Sequence, residues 1–320
     1  MHPRRSPKYV WMISLVACFV TVDGLTMGHD FPSPVKQKVA ADLSRRQWAE
    51  RSAVAAAGLF APVPVHAASV GLAAKLASRD PAVLRNSVFN VPPAAQVYPD
   101  FMRGTWDVQI KFGGFLFPST KISKERITQN PLIPGFQKCS IAAICDVGKD
   151  TSYEMVISPQ TGLEDRIATL MSQIRGFLGY NAIQEIIYSP KSNPNRFSID
   201  FVDYQTTNAE RIELFANARE SELVPETGVF VCSEYIRQVT FGTGSQVGIP
   251  RQVVGNYAHF WTWRPQQSSE GSAKSDQLKG NLLTAVYLDP QDSMFFDEPT
   301  KPVAVYSHIL SATRKLTTVG

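Results

Sequence analysis

Cysteine and histidine are scarce in this chain of 320 residues, with four and five copies respectively. Their placement thins them further. Cys18, His2, His29 and His66 lie near the N-terminus, which leaves Cys139, Cys145, Cys232, His259 and His308 for the body. None of these falls at C-x-x-C or H-x-x-x-H spacing, so no metal site is expected. No Gly-x-Ser-x-Gly elbow is present for a serine nucleophile; Gly242-Thr243-Gly244-Ser245-Gln246-Val247-Gly248 reads only as a turn-rich stretch. Phosphate-cradling Gly-x-x-x-x-Gly-Lys-Ser/Thr and Gly-x-Gly-x-x-Gly are also missing, and with them the usual nucleotide sites. A surplus of charge is lacking too. The first 67 residues hold eight of the 32 Lys and Arg and four of the 28 Asp and Glu, so the remainder carries 24 of each sign. A neutral body has no electrostatic footprint for nucleic acid.

What is there begins with two signals in series. Arg4, Arg5 and Lys8 precede an apolar run from Trp11 to Val22, which is short of the roughly twenty residues that span a bilayer. The charged-then-apolar order is that of a secretory signal peptide, taken as residues 1–24, and the alternative is a short membrane anchor. Residues 25–43 follow as a transit segment. Residues 44–67 then hold Arg45-Arg46, an Ala-rich run from Ser52 to Ala61, and Val65-His66-Ala67. That order reads as a twin-arginine export signal ending at Ala67, the alternative being an amphipathic helix. Apolar residues on every face and the closing Pro62 and Pro64 argue against the helix. Secretory and twin-arginine signals in one chain suit an alga whose plastid lies inside the endomembrane system. The expected destination is the thylakoid lumen, with no transmembrane anchor in the mature form.

Residues 68–97 read as a linker with a short helix, and residues 98–316 as one β domain. Trp106, Val108, Ile110 and Phe112 alternate with polar neighbours, the period of a half-buried strand. Similar runs recur at 152–157, 183–188, 196–202, 211–218, 229–241, 253–263, 281–288 and 303–313, separated by turn residues such as Ser189 to Asn195 and Asp289-Pro290. One helix is expected near 167–177, and a surface loop over 265–279. About nine strands with one or two short helices predict a mainly β domain, an antiparallel sheet curled into a sandwich or a barrel, of which the antiparallel up-and-down barrel is the form expected.

Gly104-Thr105-Trp106 at the head of the first strand, with Arg314 ending the last, resembles the lipocalin and calycin barrels. That resemblance implies that Trp106 closes one end of the barrel and that Arg314 packs over its ring. Tyr98-Pro99-Asp100, Pro134-Gly135-Phe136, Asp165-Arg166, Asn193-Pro194-Asn195-Arg196 and Ser233 to Val239 resemble an uncharacterised domain-of-unknown-function family of cyanobacteria and plastids. The family lends no activity.

Asp165, Arg166, Arg196, Glu234 and Arg237 are the charged residues singled out as site candidates. Glu234, in a strand otherwise rich in apolar residues, would face inward and pair with an Arg as a polar anchor for a ligand, or else form a surface or fold-closing ion pair. Tyr257 and Trp261, at period two with Trp263, line either a pocket or an ordinary core. His259 among them is a core or surface imidazole, or a pH sensor where half-buried. Cys139 and Cys145 pair as a disulfide in an oxidising lumen or remain separate thiols. The cofactor is unknown. The function expected is a non-enzymatic carrier of an apolar small molecule (pigment, lipid or quinone) or an auxiliary protein that docks on a photosystem subunit. The alternative is a small lumenal enzyme, an isomerase or carotenoid-modifying activity.

Overall fold

The computed structural model describes residues 71–86, 93–130, 132–134, 149–206, 209–242, 252–266 and 276–315. The proposed leader, including Arg45, Arg46 and Ala67, lies outside the described residues, as do Cys139 and Cys145.

Nine strands form one antiparallel sheet: β1 (Gly104–Leu116), β2 (Thr151–Ile157), β3 (Ile183–Ser189), β4 (Asn193–Phe201), β5 (Arg211–Val224), β6 (Val229–Phe241), β7 (Gln252–Pro265), β8 (Gln277–Tyr287) and β9 (Ala304–Arg314). Their order is β2-β1-β9-β8-β7-β6-β5-β4-β3. Each strand therefore pairs with its successor in sequence, except β2 with β3, and β9 returns to pair with β1. The sheet is open at that one place: β2 and β3 are its two edges, and no ladder joins them. Nevertheless one apolar cluster draws buried side chains from all nine strands, among them Val108, Met155, Ile183, Ile199, Leu214, Ile236, Tyr257, Leu282 and Leu310.

The described residues contain three α-helices, α1 (Leu72–Ala77), α2 (Lys124–Gln129) and α3 (Arg166–Leu178), against an expectation of one or two. The stretch 71–86 packs on the outer face of β6 to β9. Leu72 and Leu84 join Val231, Tyr235, Phe260 and Tyr287 in a second apolar cluster there. Tyr235 and Tyr287 donate hydrogen bonds to the Arg85 and Leu84 carbonyls, at 3.0 and 2.9 Å. This explains why β6 is buried almost continuously from Phe230 to Ile236 instead of alternating. A strand covered on both faces loses its period of two.

Helix α3 lies against both edge strands. Asp165 caps it by accepting from the Ala168 amide at 3.0 Å, and Gly179, at φ 84°, ends it in the left-handed conformation that glycine adopts without strain. The inward face carries Leu170 and Ile174 into the main cluster. Two hydroxyls on α3 serve the open edge of β2: the Glu154 amide donates to Ser172 at 2.8 Å, and the Val156 amide to Thr169 at 3.2 Å. These donors would otherwise lack the partner that a neighbouring strand supplies. The helix comes close enough because of Gly176, whose added Cβ would stand 2.1 Å from the Ser152 carbonyl oxygen.

Candidate functional site

Inside the curl of the sheet, next to the gap between β2 and β3, lies a cavity of about 400 Å³. Its wall is mainly apolar and aromatic, with Met155, Leu214, Ile236, Trp261 and Trp263 among its residues, and Ala95 and Gln96 also line it. Five charged residues line it: Glu164, Asp165, Arg166, Arg219 and Glu234. Asp165 is exposed and its carboxylate caps α3, which leaves the other four as the inner cluster.

Glu234 sits at the centre of the group, its side chain 8% exposed. The strand that carries it sends Phe230, Cys232, Glu234 and Ile236 to the inner face. Arg166, the first residue of α3, grips the carboxylate with both terminal nitrogens, each at 2.7 Å. Arg219 adds Nε and Nη2, both 2.7 Å from Oε1. Burial acts to raise the Glu234 pKa, but the two guanidiniums outweigh it and hold the group at about 2. Burial also acts to lower that of Arg166, and the facing Glu234 reverses the shift. Each cation is itself positioned. Arg219 Nη1 donates to Asn195 Oδ1 at 2.7 Å and to the Ala94 carbonyl at 3.1 Å, while Arg166 lies 4.5 Å from the centroid of Phe197, which stacks on Tyr188.

Arg219 owes its orientation to a β-bulge. The register between β5 and β6 shifts between Ala216 and Ala218, so Ala216 faces Ile236 and Arg219 faces Glu234. Strict alternation from Ala216 would have put Ala218 inside and Arg219 outside. The extra residue re-aims the chain.

Glu164 differs from Glu234 in its company. Tyr98 donates to its Oε2 at 3.3 Å, the Thr169 hydroxyl also bonds it, and among the described residues it makes no ion pair. Burial raises its pKa above the ordinary carboxyl value; the opposing pull of Arg166 is smaller. Cys232, on the same wall, has its thiol pushed well up by burial and stays protonated.

The other residues singled out from the sequence are distributed over the molecule. Trp106 is fully buried at one end, donating from Nε1 to the Met102 carbonyl at 2.7 Å. The guanidinium of Arg314 lies 4.2 Å from its ring centroid and donates to the Arg103 and Phe101 carbonyls at 2.6 and 3.1 Å. Gly104 makes room: at φ 114°, its Cβ would stand 2.7 Å from Arg314 Nη1. Trp261 lines the cavity, whereas Tyr257 is buried in the core with its hydroxyl donating to Gln238 at 3.0 Å. Arg196 lies on the outer face, bonded to Glu213 at 3.0 Å in a cluster that also holds Ser198 and Arg211. Arg237 is exposed and away from the cavity. His259 is fully buried, its Nδ1 2.9 Å from the Thr284 hydroxyl, and burial pushes its pKa down to about 3. It therefore stays neutral between pH 5 and 7 and cannot sense pH there.

Residues 91–315 match a family described as a domain of unknown function (DUF6816). The chain belongs to this family. No curated protein and no solved structure matches it significantly. The region shared with the DUF6816 family contains all nine strands, α3, and the five charged residues of the cavity. No helix among its described residues is long and apolar enough to cross a membrane.

Proposed function

We propose that this DUF6816 member is a non-enzymatic carrier, holding one small amphiphile in a lipocalin-like barrel that is laddered everywhere except between β2 and β3. Helix α3 stands in that gap, and its hydroxyls replace the missing ladder for β2. One observation carries the reading: an apolar cavity of about 400 Å³ in which a paired, buried cluster of charges occupies one side of the wall. Apolar walls with a few fixed polar groups are the general design of small-molecule sites. The volume narrows the ligand. It equals about thirteen waters at roughly 30 Å³ each, enough for a quinone ring or a medium-length acyl chain. A whole carotenoid or chlorophyll is too large.

The carrier works in the thylakoid lumen of a plastid inside the endomembrane system, a reading supported by the order of the two leader signals. Sequencing the N-terminus of the native protein tests this: a start at Ala68 agrees with it and an intact leader contradicts it. The cavity is tested by titrating the protein with octanol while following the fluorescence of Trp261 and Trp263. Saturable one-to-one quenching that disappears in Ala216→Phe, which projects a ring into the cavity, is expected. A second reading, an isomerase, is favoured by one observation, the raised pKa of Glu164 facing the cavity, as suits a general acid.

A further inference from the structure

We propose that the cavity takes an amphiphile headed by a single carboxylate, and that this ligand enters together with one proton held at Glu164. The proposal rests on the carrier reading and adds the head-group chemistry and its regulation.

The count of donors comes first. Arg219 is fully engaged, with Glu234, Asn195, the Ala94 carbonyl and the Pro194 carbonyl, the last at 3.4 Å. A guanidinium has five N–H donors, and Arg166 uses two of them on Glu234. Arg166 lines the cavity together with Glu164, and the three donors left over are the ones offered to a ligand. A planar fork of this kind matches a carboxylate.

The charge balance comes second. Arg166 and Arg219 bring two positive charges, and Glu234 removes one. With Glu164 ionised the cluster is neutral, and an entering anion would leave a surplus negative charge in a low-dielectric site, which is strongly unfavourable. With Glu164 protonated the cluster carries one positive charge. A carboxylate then restores neutrality, and the carboxyl proton is a further donor to it.

The groups facing Glu164 leave it alone in this role. They are Tyr98 ahead of β1, Tyr153 on β2, Asp165, whose exposed carboxylate caps α3, Arg166 on α3, Tyr188 on β3, Arg219 on β5, and Cys232 and Glu234 on β6, with His259 on β7 beside Glu234. Burial raises the three tyrosines and the cysteine, so they stay protonated. His259 stays neutral and Glu234 stays ionised. Burial raises only one carboxyl of the cluster above its ordinary value, that of Glu164.

The test compares octanoate with octanol on the full chain between about pH 5.5 and 7.5, where free octanoate is ionised. Calorimetry in buffers of different ionisation enthalpy counts protons taken up. The expected result is proton uptake that rises with pH from none to about one per octanoate as Glu164 of the free protein ionises, with affinity falling about tenfold per pH unit above that pKa, and none per octanol. Glu164→Gln, nearly isosteric, should bind octanoate at all these pH values without proton uptake. Octanol binding with octanoate excluded throughout would overturn the carboxylate and keep the carrier. Octanoate affinity that stays the same up to about pH 7.5, with no proton uptake there in the unmodified chain, would overturn the coupling. Saturable binding of neither probe would remove the carrier reading, and this proposal with it.

Discussion

Glu234 is a buried carboxylate gripped by two guanidiniums, and such groups respond asymmetrically to substitution. Removing one partner leaves a buried charge uncompensated, at a cost of about 3–5 kcal/mol. Arg219→Met and Glu234→Ala are each expected to lose that much, measured by urea unfolding. Arg237→Ala, on an exposed side chain of the same strand, should stay within about 0.5 kcal/mol of the parent. The difference in legibility is instructive here. A glutamate amid Val, Phe, Tyr and Ile stands out in the sequence, and so does the Asp165-Arg166 pair. Arg219 carries no such signal, because strict alternation along β5 assigns it to the outside until the bulge at Ala216 to Ala218 reverses the parity. Glu164 is hidden for another reason: it lies in the turn before α3, where a carboxylate looks like ordinary surface. Arg196 and Arg237 were as conspicuous as Glu234, and the fold puts both elsewhere.

At the scale of elements, the strand runs were readable wherever one face meets solvent and the period of two survives. β5 and β8 extend beyond the expected limits, to Val224 and back to Gln277, because the chain stays paired through polar residues. The expected surface loop over 265–279 is shorter for the same reason. What could not be read was the open edge between β2 and β3, since strand count says nothing about which ladders form. The packing of α3 against β2 is sharply defined at Gly176. Gly176→Ala should gain up to about 1 kcal/mol in helix propensity but lose about 1–3 kcal/mol by overpacking against Ser152. The net expectation is destabilisation, with faster hydrogen exchange at the Glu154 and Val156 amides as the helix hydroxyls withdraw. Unchanged exchange there would contradict the role given to α3.

Over the whole molecule, buried imidazoles set the response to acid. His259 and His308 have pKa values pushed by burial from 6.5 to about 3 and about 4. Below pH 6.5 the unfolded chain protonates both and the folded chain protonates neither, so stability falls as pH falls. Each contributes a slope of about 1.4 kcal/mol per pH unit down to its folded value. Glu234, depressed from 4.5 to about 2, adds to the loss below pH 4.5. Glu164 has the opposite sign: its raised pKa favours the folded state at low pH and is a cost once pH rises above it. Urea unfolding between pH 4.5 and 7.5 should therefore show declining stability toward acid, and His259→Gln should flatten the slope if the variant folds. The two histidines outnumber the one opposing glutamate, which decides the direction.

The central claim is that the cavity exists to hold a small molecule, and native mass spectrometry of the protein isolated gently from its native source addresses it most directly. The account predicts a chain carrying one small molecule in stoichiometric amount, retained in the parent and absent from Ala216→Phe isolated in the same way. An empty chain in both, accompanied instead by a stoichiometric protein subunit, would contradict it and make the molecule a docking or assembly factor.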